Sequence, residues 1–205
     1  MSLTKKSVLF ISLILIIDQA LKFWVKTHLK IGDEIPLFGD WGKLLFIENN
    51  GMAFGWEFGG KVGKLLLSLF RILAIGGIGW FLSVIIREKH NTAFVLAVSA
   101  IFAGALGNMI DSAFYGVIFS ESFTSPAVLF PPGGGYSSLF HGRVVDMFYF
   151  PIIETTWPSW SPIRPGESFV FFRPVFNIAD ASITCGVFAI LLFQKKMLSG
   201  FDKLS

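Results

Sequence analysis

Four runs of apolar residues, at about 7–24, 65–86, 93–111 and 175–193, constrain this chain more than any other feature. About 20 apolar residues wound as a helix span the ~30 Å hydrocarbon core of a bilayer. In hydrocarbon every backbone N–H and C=O has to bond within its own segment, so such runs read as transmembrane helices. The composition agrees, with 53% hydrophobic residues, 15% charged residues and a mean hydropathy of +0.66. The expected fold is an all-α membrane protein: one integral domain over 1–205, four transmembrane helices, a small extramembrane β element and a long outer loop. The outer loops fall at about 25–64 and 112–174. In the first, Leu44-Leu45-Phe46-Ile47 is the best strand candidate. The second is rich in Pro, Gly and Ser.

The first run lacks a small-residue cleavage site, so it reads as a retained helix and not as a signal peptide. The flanks on one side carry Lys5, Lys6, Arg87, Lys89, Lys195 and Lys196. Positive charge in short flanks marks the cytoplasmic side, which places both termini there. Asp18, Asn49, Asn108, Asp111, Asp146 and Asp180 then all fall at the outer face. Trp41 and Trp56 in the first loop, and Trp157 and Trp160 in the second, are candidate anchors at the membrane surface. Arg71 interrupts the second run and is expected to face protein or to snorkel outward. Cys185 is the one cysteine, so no disulfide forms within the chain.

The supply of reactive residues narrows the chemistry. Three His, one Cys and no His-Glu-x-x-His leave a zinc site without ligands. There is no Gly-x-Ser-x-Gly elbow. Pro131-Pro132-Gly133-Gly134-Gly135 lacks the Lys-Ser/Thr of a phosphate loop, and no basic tract with aromatics argues for nucleic acid. What remains is the acids Asp111, Asp146 and Asp180. Two carboxylates held close share a proton, one serving as base on a water while the other polarises a carbonyl. Each acid also has a plainer reading. With Asn177 as N-cap, Asp180 falls at the third helical position, where a carboxylate favours the helix start. Asp146 reads equally as a solvated acid or as a partner of Arg143, Asn49 as a turn residue, and Asp18 with Lys22 as an ion pair one turn apart. A transporter using outer-face acids is the competing class, but the cytoplasmic halves of the runs carry few charges.

Asp18-Gln19-x-x-Lys22, Asn49-x-Gly51-x-Ala53-Phe54, Gly107-Asn108-x-x-Asp111, Val144-Val145-Asp146 and Phe176-Asn177-x-Ala179-Asp180 together resemble the lipoprotein signal peptidases, the type II signal peptidases of bacteria. The resemblance spans nearly the whole chain. It implies an aspartic endopeptidase at the outer face of the inner membrane that cuts before a diacylglyceryl-modified Cys in prolipoproteins. By motif the catalytic pair is Asp146 and Asp180. Asp18, Lys22, Asn49, Gly107, Asn108, Asp111, Asn177 and Ala179 support the site or the substrate, with Asp111 the fallback partner. No metal and no cofactor is expected; the partners are diacylglyceryl prolipoproteins and membrane lipids, with no nucleic acid, and the state is monomeric. One departure stands out. The family's usual Arg after the Gly-Asn-x-x-Asp acid is Ser112 here, so that either Arg143 or Arg173 supplies the charge or it is missing. Grooves beside Gly104 and Gly107, and beside Gly76 to Gly79, are the expected seats for acyl chains.

Overall fold

A computed structural model of the chain describes residues 1–39, 41–50, 60–151, 153–171 and 174–198. Among the described residues, four helices are long and apolar enough to cross a membrane, as expected. They are α1 (Leu3–His28), α2 (Gly60–Arg87), α3 (Thr92–Ile110) and, last in the chain, α5 (Ile178–Leu198). Ser2 opens α1 by accepting from the Lys5 amide, and Asn91 opens α3 by accepting from the Ala93 amide at 2.8 Å.

α3 is the central helix and packs against α1, α2 and α5. Small residues allow the close crossings. A Cβ on Gly104 would stand 2.2 Å from the Ala179 carbonyl oxygen, and one on Gly186 would stand 2.7 Å from the Ala97 carbonyl oxygen. Along α1 the pattern of a soluble helix is inverted: its buried residues are Ser7, Asp18, Lys22, Val25 and Lys26, while Val8, Leu9, Leu13 and Ile16 are exposed. Ser7 meets Ser99 of α3 at 2.7 Å, a polar bond between helices that have no hydrophobic driving force to associate in lipid.

The stretch 112–174, expected as one long loop, is partly folded into elements. α3 runs on through a wide π turn (Asp111–Tyr115) into α4 (Gly116–Ile118). Strands β3 (Val144–Tyr149), β4 (Ile153–Thr156) and β5 (Ser168–Phe171) follow, and β6 (Val175–Phe176) takes the first two residues assigned above to the last helix. The earlier β1 (Glu34–Pro36) and β2 (Lys43–Asn49) include the expected strand. β1, β2, β3 and β6 form one antiparallel sheet in that order, and β4 and β5 form a separate hairpin. The sheet is thus larger than the sequence implied, because its central strand comes from the second loop. Periodicity fails to mark β3, whose first four residues are all buried, the acid included.

Under the sheet, Val25, Phe46, Tyr115, Phe119, Val145 and Met147 make a core into which two charged side chains also fold. Lys26 and Glu48, 0% and 1% exposed, form an ion pair, and Lys26 also donates to Ser122 Oγ at 3.0 Å. Arg143 reaches the other Glu48 oxygen at 3.1 Å and Glu121 at 2.8 Å. Removing one partner of a buried pair leaves the other uncompensated, at a cost of about 3–5 kcal/mol. Glu48→Gln keeps the shape and removes the charge, so it is expected to lower the thermal unfolding midpoint sharply in detergent. An unchanged midpoint would show that this pair does not hold the sheet to α1.

Candidate active site

Three helices and two strands deliver polar side chains to a single point at the sheet end of the bundle. α1 supplies Asp18 and Lys22 from one face. The two pair at 2.9 Å, and Lys22 also reaches Asp111 at 2.7 Å and Asn108 Oδ1 at 3.0 Å. Its three N–H donors thereby meet three acceptors, two on the buried Asp18 and Asp111 and one on the half-buried Asn108. The bond to Oδ1 orients the Asn108 amide, because its NH2 then has to point the other way. It points at Asp180, donating to Oδ1 at 2.7 Å.

Asn177 and Asp180 form the cap that their spacing implies. The Asp180 amide donates to Asn177 Oδ1 at 2.9 Å, and the Asn177 amide donates back to Asp180 Oδ2 at 3.3 Å. The plain reading of Asp180 as a capping residue is therefore correct, and it does not exhaust the residue. The Asn177 NH2 donates to Asp146 Oδ1 at 2.7 Å and to Asn108 Oδ1 at 3.1 Å. Asp146 and Asp180 are thus linked through two amides, Asn108 oriented by Lys22 and Asn177 by the Asp180 amide.

Asp146 is not in a loop and is not paired with Arg143. It lies in β3, 4% exposed, opposite Ile47 of β2, and accepts from the Asn49 amide as well as from Asn177. Asn49 closes β2 and is no simple turn residue. Burial pushes the Asp146 carboxyl up, and the charge of Asp180 pushes it further. The Asn177 amide, Lys22 and the Asn49 amide pull it partly back, leaving it at about 7. Between the ordinary value of 3.8 and about 7, the folded protein holds a proton that the unfolded chain has released. The stability so contributed is complete below the ordinary value and is lost as pH rises through 7, a difference on the order of 4 kcal/mol. Unfolding midpoints are therefore expected to be higher at pH 5 than at pH 8, with the difference shrinking in Asp146→Asn. A wild-type midpoint that rises over this interval would contradict the burial argument.

Asp111 has another occupation. Fully buried, it accepts from Lys22, from Gln19 Nε2 at 2.9 Å and from the Val145 amide at 3.3 Å, tying α1 and α3 to β3 next to Asp146. Gly107 and Ala179 are small for a visible reason. A Cβ on Gly107 would come within 2.9 Å of Asp18 Oδ2 and 3.2 Å of the Ala179 Cβ, and the Ala179 amide donates to Asp18 Oδ1 at 3.0 Å. Arg143 lies outside this cluster, held by Glu48, Glu121 and the Tyr136 ring. Arg173, Gly51, Ala53, Phe54 and Trp56 fall outside the described residues. Trp41 is 61% exposed and stacks on Phe38, and Trp160 in the β4–β5 turn is 81% exposed. Trp157, in the same turn, is half-buried.

Two participants were given no role in the site from the sequence alone. Gln19 bridges Asp18, Asp111 and the Tyr115 hydroxyl, and its signal was an amide inside an apolar run. Arg71 reaches Ser112 Oγ from α2 at 3.2 Å. The glycines expected to flank acyl grooves behave differently from one another. Gly104 and Gly107 are covered by α5 and Asp18, Gly79 faces Phe102, and Gly76 and Gly77 have nothing within 4 Å. A groove of about 300 Å3 instead lies between α2 and α3, lined by Ile72, Leu106, Ile110, Ala113, Leu139 and Phe140 among others. Among the described residues, no three His, Cys, Asp or Glu side chains are grouped as metal ligands.

The sequence model of Signal peptidase (SPase) II matches residues 10–195. A lipoprotein signal peptidase of Porphyromonas gingivalis is 50% identical over 190 residues, covering 92% of this chain and 82% of the relative. One from Amoebophilus asiaticus is 38% identical over 186 residues, covering 89% and 75%. A solved bacterial membrane enzyme superposes with a TM-score of 0.61 at 25% identity, over 96% of this chain and 91% of that one.

Proposed function

Because the chain belongs to the signal peptidase II family, we propose that it is an aspartic endopeptidase of the bacterial inner membrane. It removes the signal peptide of a prolipoprotein by cutting before the diacylglyceryl-modified Cys. The observation that carries this reading is the joining of Asp146 and Asp180 through Asn108 and Asn177, with Asp146 poised to hold a proton near neutrality.

Asp180, at a helix start and facing amide donors, takes a proton from a water as that water attacks the scissile carbonyl carbon. Asp146 gives its proton to the carbonyl oxygen, so that negative charge does not build up in a buried site. Collapse of the tetrahedral species breaks the C–N bond: the leaving nitrogen takes up the proton held by Asp180, and the former carbonyl oxygen returns its proton to Asp146 as C=O re-forms. The products are a signal peptide carboxylate and a free amino group on the lipidated Cys. The two asparagines hold the acids in place, while Asp18, Lys22 and Asp111 hold the asparagines. Basic flanks at Lys5, Lys6, Arg87 and Lys89 support cytoplasmic termini, which puts the acids on the outer side. The chain acts as a monomer.

The direct test is a purified sample with a synthetic diacylated prolipoprotein, the products read by mass. Cleavage before the Cys is expected, undiminished by chelators or by serine-directed reagents. Activity lost to a chelator and restored by zinc would reject the aspartic mechanism.

A further inference from the structure

Asp18, Asp111 and Asp180 bring three carboxylates to the cluster against the single ammonium of Lys22. A second cation arrives from α2. Phe70 and Leu73 of that helix are 68% and 67% exposed, whereas Arg71 between them turns inward and donates to Ser112 Oγ at 3.2 Å. Ser112 follows Asp111 directly, and its hydroxyl donates to the Asn108 carbonyl at 3.0 Å. The guanidinium therefore stands one residue from the Lys22–Asp111 pair, within electrostatic reach of Asp180 and Asp111.

The same face of α2 is tied to the site elsewhere. Lys64 donates to Asn50 Oδ1 at 2.8 Å and to the His141 carbonyl at 2.9 Å, and Ser68 donates to the Phe140 carbonyl at 3.2 Å. Ile72 and Ala113, the residues that follow Arg71 and Ser112, both line the apolar groove of about 300 Å3 between α2 and α3. A cation beside the acids and an apolar groove next to it together match a fatty acyl ester, which has a carbonyl oxygen at the head of its chain. Arginine suits such an acceptor because it stays charged and presents planar N–H donors.

We propose that Arg71 donates to an ester carbonyl of the substrate's diacylglyceryl group, with that acyl chain in the groove between α2 and α3. This assignment rests on the lipoprotein-processing reading, and it places the basic group expected after Asp111 on a different helix. Arg71 would then set recognition of the lipid, acting on KM more than on kcat.

The test compares a diacyl ester substrate with its dialkyl ether counterpart, which keeps the chains and loses the carbonyls. Wild-type turnover of the ester substrate is the control; without it the functional reading itself fails. Losing a charge-assisted hydrogen bond is expected to lower kcat/KM about tenfold or more in Arg71→Gln on the ester. The ether should weaken the wild type by a similar factor and add nothing in Arg71→Gln. Ser112→Arg introduced into Arg71→Gln should restore much of the ester activity, which a merely structural role for Arg71 would not allow. An equal loss on both lipids would move the contact to a peptide carbonyl and overturn the assignment, as would unchanged kcat/KM in Arg71→Gln. Should Arg71→Gln fail to fold, the wild-type ratio alone decides: equal rates on ester and ether overturn the proposal.

Discussion

Asp146→Asn and Asp180→Asn, made singly, are each expected to cut prolipoprotein cleavage by about a thousandfold while leaving a folded, membrane-inserted protein. The size follows from the typical 10²–10⁴-fold contribution of a positioned acid or base, here with no titratable substitute bonded to either acid among the described residues. An amide at 180 still accepts from the Asn177 backbone and preserves the cap, so the helix start survives. An amide at 146 can keep one acceptor for Asn177 or Asn49, and it removes a carboxyl that is costly to ionise where it stands. Neither variant can pass a proton. Asp111→Asn is expected to differ in kind. It strips Lys22 of a partner at 2.7 Å inside the bundle, so its main effect is lost stability. Activity and unfolding midpoints measured side by side separate the cases. A folded, inactive Asp111→Asn beside a near-normal Asp146→Asn would make Asp111 the partner of Asp180 and refute the pair proposed above.

The second large effect expected is on substrates without lipid. A signal helix in a bilayer is free to slide along its axis, while the acids sit at one depth, at the sheet end of the helices. A diacylglyceryl group fixes the depth of the Cys, since each buried CH2 anchors by about 0.8 kcal/mol. Placing the scissile bond correctly removes an entropic part of the barrier, and small misplacement is worth about a hundredfold in rate. Bare and diacylated forms of one peptide, compared by kcat/KM in the same bilayer, should therefore differ by about that factor or more. Equal values would remove the lipid from recognition even with the aspartate pair intact.

What the sequence made legible was local. The Asp18–Lys22 pair and the Asn177–Asp180 cap depend on spacings of four and three residues, which a helix converts directly into contact. The four spans were equally plain, because length and hydropathy decide them. The join between Asn49 and Asp146 spans 97 positions and depends on the β2–β3 register, which has a bulge between Leu44 and Ile47. No periodicity announces such a register, least of all in a strand buried on both faces. Arg143 misled for a related reason. Its nearness to Asp146 in the chain implied a pair, but Arg143 precedes β3 while Asp146 lies inside it, and Glu48 and Glu121 reach Arg143 from other segments. Arg71 was visible as a charge in an apolar run, yet its target lies on another helix.

The inverted face of α1 also bears on how the chain is made. α1 enters the membrane before α3 has been synthesised, so during insertion neither Asp111 nor Asn108 exists to receive Lys22. Asp18 does, one turn away on the same helix. A helix that brings its own counterion presents the insertion machinery with an ion pair instead of isolated charges, where each lone Asp or Lys deep in a span would cost about 2.5–3.5 kcal/mol. Lys26, whose partner Glu48 emerges only later, lies in the final turn of α1, close enough to the surface to wait in the headgroup layer. The order in which the charges are translated thus matches the order in which they find partners, and the ammonium at the centre of the polar cluster is never left alone in lipid.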